Sequence, residues 1–143
     1  MKMTIFLTLI FSIIAFSGCQ TASTTTVTNS TTATDSAAQN EIKQISVAEA
    51  KDATSGKNQQ FIDVRTPEEY AGGHAPSTAL FPLDSLEKDL AKLDKTKPVY
   101  VICQTGRRSQ KGAEMLRKAG FTEIYNIKGG TGAWIEAGFP TEK

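Results

Sequence analysis

The stretch of this chain best equipped for chemistry is Tyr100 to Gly112, YVICQTGRRSQKG. An apolar run ends in Cys103, a loop with one glycine and two adjacent arginines follows, and then a helix start. A strand, a tight loop and a helix N-terminus make an anion cradle, because several backbone N–H groups converge and the helix dipole adds positive potential. Gly106 permits the positive φ that curling such a loop requires. Arg107 and Arg108 add two permanent charges. In surroundings of this kind cysteine pKa values fall to about 3.5–7.5. Cys103 is therefore expected to be a thiolate at neutral pH and to act as a nucleophile.

The cysteine count narrows the alternatives. The chain has 143 residues and two cysteines, Cys103 and, near the N-terminus, Cys19. There is no CxxC pair and a single histidine, His74, so no metal site is expected. A disulfide framework would need paired cysteines within the folded part. No cofactor is called for. Sixteen Lys and Arg against fifteen Asp and Glu leave a net charge of +1. With no long basic run, no nucleic-acid partner is expected.

The elements that must position Cys103 follow from the pattern of the remaining chain. Glu41 to Ile45 alternates like a short strand, and Ser46-Val47-Ala48-Glu49 has the form of a capping box opening a helix that Gly56 closes. Phe61 to Val64 is a strand; Thr66-Pro67-Glu68-Glu69 opens a second helix, stopped by Gly72-Gly73. A short strand around Leu80-Phe81 leads to a helix with Leu86, Leu90 and Leu93 on one face. Val99 to Ile102 reads as a strand buried on both faces of a parallel sheet. Ser109 is expected to cap the next helix, which ends at Ala119-Gly120. Ile124 to Ile127 is a fifth strand, and Gly129-Gly130 precedes a last helix carrying Trp134. This alternation predicts a doubly wound five-stranded parallel sheet with helices on both faces. In such sheets ligands bind beyond the carboxyl ends of the strands, which is where Cys103 falls.

The N-terminal part reads differently. Lys2 precedes an apolar run from Ile5 to Phe16 that is shorter than the roughly 20 residues of a membrane span and suits an export signal. Phe16-Ser17-Gly18-Cys19 resembles a bacterial lipobox, with Phe16 where Leu is usual. Residues 1–18 are thus expected to be a lipoprotein-type signal peptide, with Cys19 lipidated. Residues 19–40 are rich in Thr, Ser and Ala and too poor in apolar side chains to fold, so they are expected to form a disordered tether. Its r.m.s. reach is roughly 25 Å. Residues 41–143 form the folded domain. The expected location is outside the cytoplasmic membrane: lipid-anchored and facing the periplasm, on the outer membrane in a diderm cell because Gln20 follows Cys19, or otherwise soluble in the periplasm.

Four segments in order resemble the rhodanese, or thiosulfate sulfurtransferase, family. Phe61-Ile62-Asp63-Val64-Arg65-Thr66-Pro67-Glu68-Glu69-Tyr70 is similar to its DVR-x-x-x-E-[YF] segment, and Gly73-His74-Ala75-Pro76 to its GH-I-P-G-A element. Cys103 to Ser109 matches its active-site loop, and Gly129-Gly130, Trp134, Gly138 and Pro140 its GG-x-x-x-W-x-x-x-G-x-P ending. The departures lie after His74, where Ala75 replaces a large aliphatic and Ser77-Thr78 replaces Gly-Ala. The resemblance implies a rhodanese-like single domain and an enzyme, a thiosulfate sulfurtransferase. It implies a persulfide on Cys103 held by the backbone of Gln104, Thr105, Gly106, Arg107 and Arg108. Asp63 and Arg65 are either an ion pair at a strand end or, as the resemblance implies, residues that order the loop; Ser109 is read as a further loop support. His74 is read as structural.

Three functions are weighed. Sulfur transfer would use a small anionic donor such as thiosulfate, favoured by Arg107 and Arg108, and a thiol, cyanide or protein acceptor. Phosphatase or arsenate reductase chemistry, found in proteins that resemble this fold, needs Cys-x5-Arg, and position 109 is Ser rather than Arg. A non-enzymatic sulfur carrier or interaction module would use the same persulfide on behalf of a protein partner.

Overall fold

The structure is a computed structural model that describes residues 41–143. The expected signal over residues 1–18, the tether over 19–40 and the lipidation site Cys19 lie outside the described residues. Within them the order is β1 (Ile42–Ile45), α1 (Val47–Thr54), β2 (Gln60–Asp63), α2 (Pro67–Ala71), β3 (Ala79–Leu80), α3 (Leu86–Asp89, continuing as a 3-10 turn, Leu90–Lys92), β4 (Val99–Ile102), α4 (Arg107–Lys118), β5 (Ile124–Ile127) and α5 (Gly130–Glu136).

The five strands form one parallel sheet in the order β1-β5-β4-β2-β3. Every residue of β4 is buried, as its unbroken apolar run requires of a central parallel strand. Side chains alternate between two cores. Ile62, Val64, Val99, Val101 and Ile124 pack with Leu86 and with Ala113 and Leu116 of α4 on one face. Phe61, Tyr100, Ile102 and Ile127 pack with Ala50 of α1 and Trp134 of α5 on the other. Burying each such aliphatic side chain contributes roughly 1.5–3 kcal/mol. α4 lies close to the sheet because Gly112 carries no Cβ; one there would stand 3.3 Å from Val64 Cγ1 and 3.6 Å from Val101 Cγ1.

The connection after β2 runs to β3 on one side, whereas that after β4 runs to β5 on the other. A crevice opens between adjacent strands whose connections diverge. Asp63 ends β2 and Cys103 follows β4, so this topology sets the two residues on either side of the crevice.

The expected capping box forms at Ser46 with Glu49, and a second one forms at Thr66 with Glu69, where the sequence indicates a helix start through Pro67. Two helix expectations change. Only Leu86 to Asp89 is α-helical in the segment expected to carry three inward leucines, because Ser85 makes no side-chain cap and the chain tightens into the 3-10 turn. Ser109 does not cap α4. Gly106 takes that position at φ +93°, turning the loop directly into a helix that begins at Arg107 and leaving Ser109 buried one turn inside it.

Candidate active site

Cys103 sits at the bottom of a loop whose Gln104, Thr105 and Arg107 are exposed. Its sulfur receives the Gly106 N–H at 3.1 Å. Two bonds from the N-terminal turn of α5 hold the outer side of the loop. Thr131 N–H donates to the Cys103 carbonyl at 2.7 Å and Gly132 N–H to that of Gln104 at 3.1 Å. The N–H and C=O of a peptide unit point in opposite directions. Drawing the Gln104 carbonyl toward α5 therefore turns the Thr105 amide of the same peptide unit toward the sulfur.

Burial pushes the Cys103 thiol up and is the largest single influence on it. Hydrogen bonding from Ser109, through side chain and backbone, and from the amides of Thr105 and Gly106 together outweighs burial, so the thiol titrates below its ordinary value. The Ser109 hydroxyl is 2.6 Å from Asn126 Oδ1 and 3.0 Å from the Gly106 carbonyl oxygen. Its single proton cannot serve these acceptors and the sulfur together. The fixed donors to the thiolate are thus the backbone amides.

The other residues singled out from the sequence divide into two groups. Asp63 and Arg65 form a buried pair in which Arg65 Nη2 lies 2.8 Å and Nε 2.9 Å from Asp63 Oδ2. Arg65 also donates to the Gly73 carbonyl at 2.9 Å and to Gln104 Oε1 at 3.4 Å. The pair thus both neutralises a strand end and reaches the loop, combining the two readings of these residues. Ser109 supports the loop from behind by binding Asn126 of β5.

Arg107 and Arg108 part company. Arg107 is exposed and makes no ion pair among the described residues. Arg108 is gripped at two points by Glu69, with Nη1 to Oε2 at 2.7 Å and Nη2 to Oε1 at 2.6 Å. The Arg108 guanidinium holds the Glu69 carboxyl down at about 2, against partial burial and with help from the Thr66 amide. In turn Glu69 raises Arg108, with a smaller contribution from the Cys103 thiolate. The two free guanidinium groups expected from the sequence are thus one free and one paired.

Sequence reasoning placed Glu69 only in the first turn of a helix, and assigned it, Asn126 and the first turn of α5 no role at the site. The motif that contains Glu69 was visible, but its partner lies 39 residues away. Asn126 is a buried polar residue on a strand, flanked by apolar neighbours, and that was the available signal. His74 is structural, as read. It lies stacked on Tyr70, its Nδ1 is 3.1 Å from the Tyr70 carbonyl oxygen, and its backbone is bonded both ways to Glu142.

A family model described as Rhodanese-like domain matches residues 46–137. The chain belongs to the rhodanese family. It is 47% identical over 75 residues to uncharacterized protein YqhL of Bacillus subtilis (strain 168), covering 52% of this chain and 60% of that protein. It is 30% identical over 95 residues to thiosulfate sulfurtransferase GlpE of Shewanella oneidensis, covering 66% of this chain and 94% of GlpE. Among solved structures, a rhodanese-related protein from Thermoplasma volcanium matches with a TM-score of 0.64 at 28% identity, covering 70% of this chain and 97% of that one. The chain thus spans about three fifths of YqhL's length and nearly all of GlpE's.

Proposed function

We propose that this protein is a sulfurtransferase that carries a sulfane sulfur on Cys103. The observation that supports this most is the ring of backbone amides around a buried thiol whose pKa they lower. The thiolate attacks the outer sulfur of a donor such as thiosulfate. The S–S bond of the donor breaks, sulfite leaves with the electron pair, and Cys103 becomes a persulfide anion. The inward amides then hold the terminal sulfur where they held the thiolate. A nucleophilic acceptor, whether cyanide, a thiol or a protein thiol, takes that sulfur and restores the thiolate. Splitting the transfer into two displacements lowers the barrier of each. Two features weigh against phosphate chemistry: the loop is one residue shorter than Cys-x5-Arg, and its last arginine is turned to Glu69.

The same proposal puts the domain outside the cytoplasmic membrane, facing the periplasm and tethered through a lipid on Cys19. Metabolic labelling with a fatty acid tests it, and label retained by Cys19→Ala would exclude that anchor.

The catalytic reading is tested by intact-mass measurement of residues 41–143 after incubation with thiosulfate. One added sulfur is expected on the parent domain and none on Cys103→Ala, which should fold normally because a small apolar side chain replaces the thiol. A gain in both, or in neither, would sink the mechanism.

A further inference from the structure

We infer that Glu69 is a specificity-determining residue: by occupying Arg108 it moves the site's preference from doubly charged inorganic donors toward singly charged sulfane donors of the thiosulfonate or organic persulfide type. The inference rests on the sulfur-transfer reading and concerns which donor that chemistry prefers.

Most of the charges around the sulfur cancel in pairs. Asp63 and Arg65 cancel in a buried pair. Glu69 and Arg108 cancel in a two-point pair at the loop's end. Among the described residues of the loop, Arg107 is left as the one guanidinium without a carboxylate. The nucleophile is itself an anion, so a donor must approach against its charge, and a dianion meets twice the repulsion of a monoanion. One exposed cation and the amide dipoles offset a single charge better than two.

Glu69 is not free to swing away. Its Oε2, already held by Arg108, also accepts the Thr66 N–H at 3.1 Å, while its own N–H donates to Thr66 Oγ1 at 3.3 Å. Moving the carboxylate off Arg108 would therefore uncap α2 as well as break a bidentate pair. The carboxylate keeps its charge far into acid, so the arrangement is constant across the pH range of ordinary assays.

The test is the Glu69→Gln variant, which keeps an amide oxygen for the Thr66 N–H but removes the charge. Persulfide formation on Cys103 is followed in single turnovers with thiosulfate (two charges) and with benzenethiosulfonate (one charge). Because the electrostatic effect scales with donor charge, kcat/KM should rise about tenfold for thiosulfate and about threefold for benzenethiosulfonate. The thiosulfate gain should shrink with added salt. Equal changes for the two donors, in either direction, would show that Glu69 only shapes the loop and would overturn the inference. The double variant Glu69→Gln/Arg108→Gln removes both charges and should return the donor ratio to within about twofold of the parent; a ratio shifted strongly against thiosulfate would mean that Arg108 binds the donor directly, also overturning it. If Glu69→Gln does not fold, the double variant alone decides. A parent protein that takes sulfur from neither donor removes this inference and the sulfur-transfer reading together, whereas a parent that takes sulfur and a variant with an unchanged ratio remove this inference alone.

Discussion

Gly130→Ala tests whether α5 aims the Cys103 loop. Gly130 opens α5 at φ +58°, and a Cβ there would stand 2.8 Å from the Gln104 carbonyl carbon and 2.9 Å from that of Cys103, with the Cys103 oxygen closer still. All three are backbone atoms of the loop, so no rotamer change relieves the clash. The first turn of α5 must retreat, giving up the bonds from Thr131 N–H and Gly132 N–H to the two loop carbonyls. The left-handed backbone costs about 1–2 kcal/mol for a residue with a Cβ, and each lost bond about 1 kcal/mol. Reduced freedom of the unfolded chain returns roughly 0.4–1 kcal/mol. The net loss is about 2–4 kcal/mol, which for a domain of this size lowers Tm by roughly 10–25 °C. The freed carbonyls also let the amides turn from the sulfur, so the thiol pKa should rise toward its ordinary value. Gly138→Ala isolates the backbone term, because Gly138 has φ +70° and nothing within 4 Å of the added carbon. Thermal melts and thiolate absorbance titrations of both variants are the assay. A Gly130→Ala domain no less stable than Gly138→Ala, with an unchanged thiol titration, would refute the reasoning.

Two further outcomes follow from the same geometry. Asp63→Asn leaves Arg65 buried beside a neutral amide and should cost about 3–5 kcal/mol in denaturant melts; a loss under about 1 kcal/mol would show that Gly73 and Gln104 suffice to hold the guanidinium. Because the folded thiol titrates below its ordinary value, alkylation of Cys103 by iodoacetamide should rise with pH and level off below the pH at which a free cysteine does, and stability referred to Cys103→Ala should fall as pH drops through the folded pKa; a profile centred at or above that of free cysteine contradicts the amide cradle.

The strands were legible because each is short, apolar and bounded by turn residues. The first two helices were legible because Ser46-x-x-Glu49 states its own cap and Pro67, followed by two acids, marks a first helical turn. Cys103 could be placed because a strand end is a position in sequence as well as in space. The start of α4 was misread for a local reason. Ser109 is a good capping residue, but Gly106 at positive φ enters the helix three residues earlier and leaves Ser109 to bind Asn126. The grip of Glu69 on Arg108 was hidden for a non-local one. Its residues lie on α2 and α4, and nothing in either segment says that the sheet order brings those helix starts together. The acids of the first turn of α2 were read as complements to the helix end. Glu69 does cap that helix, and the second oxygen that capping leaves free is the one that pairs with Arg108 Nη2. The ending with Trp134 matched the family motif for a packing reason: Trp134 fills the core beside Phe61 and Phe139, and its indole N–H donates to the Pro140 carbonyl at 2.8 Å.

The peptide unit joining Gln104 to Thr105 links the fold to the chemistry. Its oxygen accepts the Gly132 N–H, and its own N–H is one of the amides that lower the Cys103 pKa. α5 therefore acts on the sulfur without touching it, by spending its unpaired N-terminal amides on carbonyls that would otherwise compete for the inward direction. A helix has such amides only in its first turn, so the contact must be made end-on and at backbone range. That geometry leaves no room for a Cβ at Gly130. In the sulfur-transfer reading, the glycine pair before Trp134 is thus as much a requirement of the persulfide as the loop itself. The loop supplies the amides, and α5 fixes the direction in which they point.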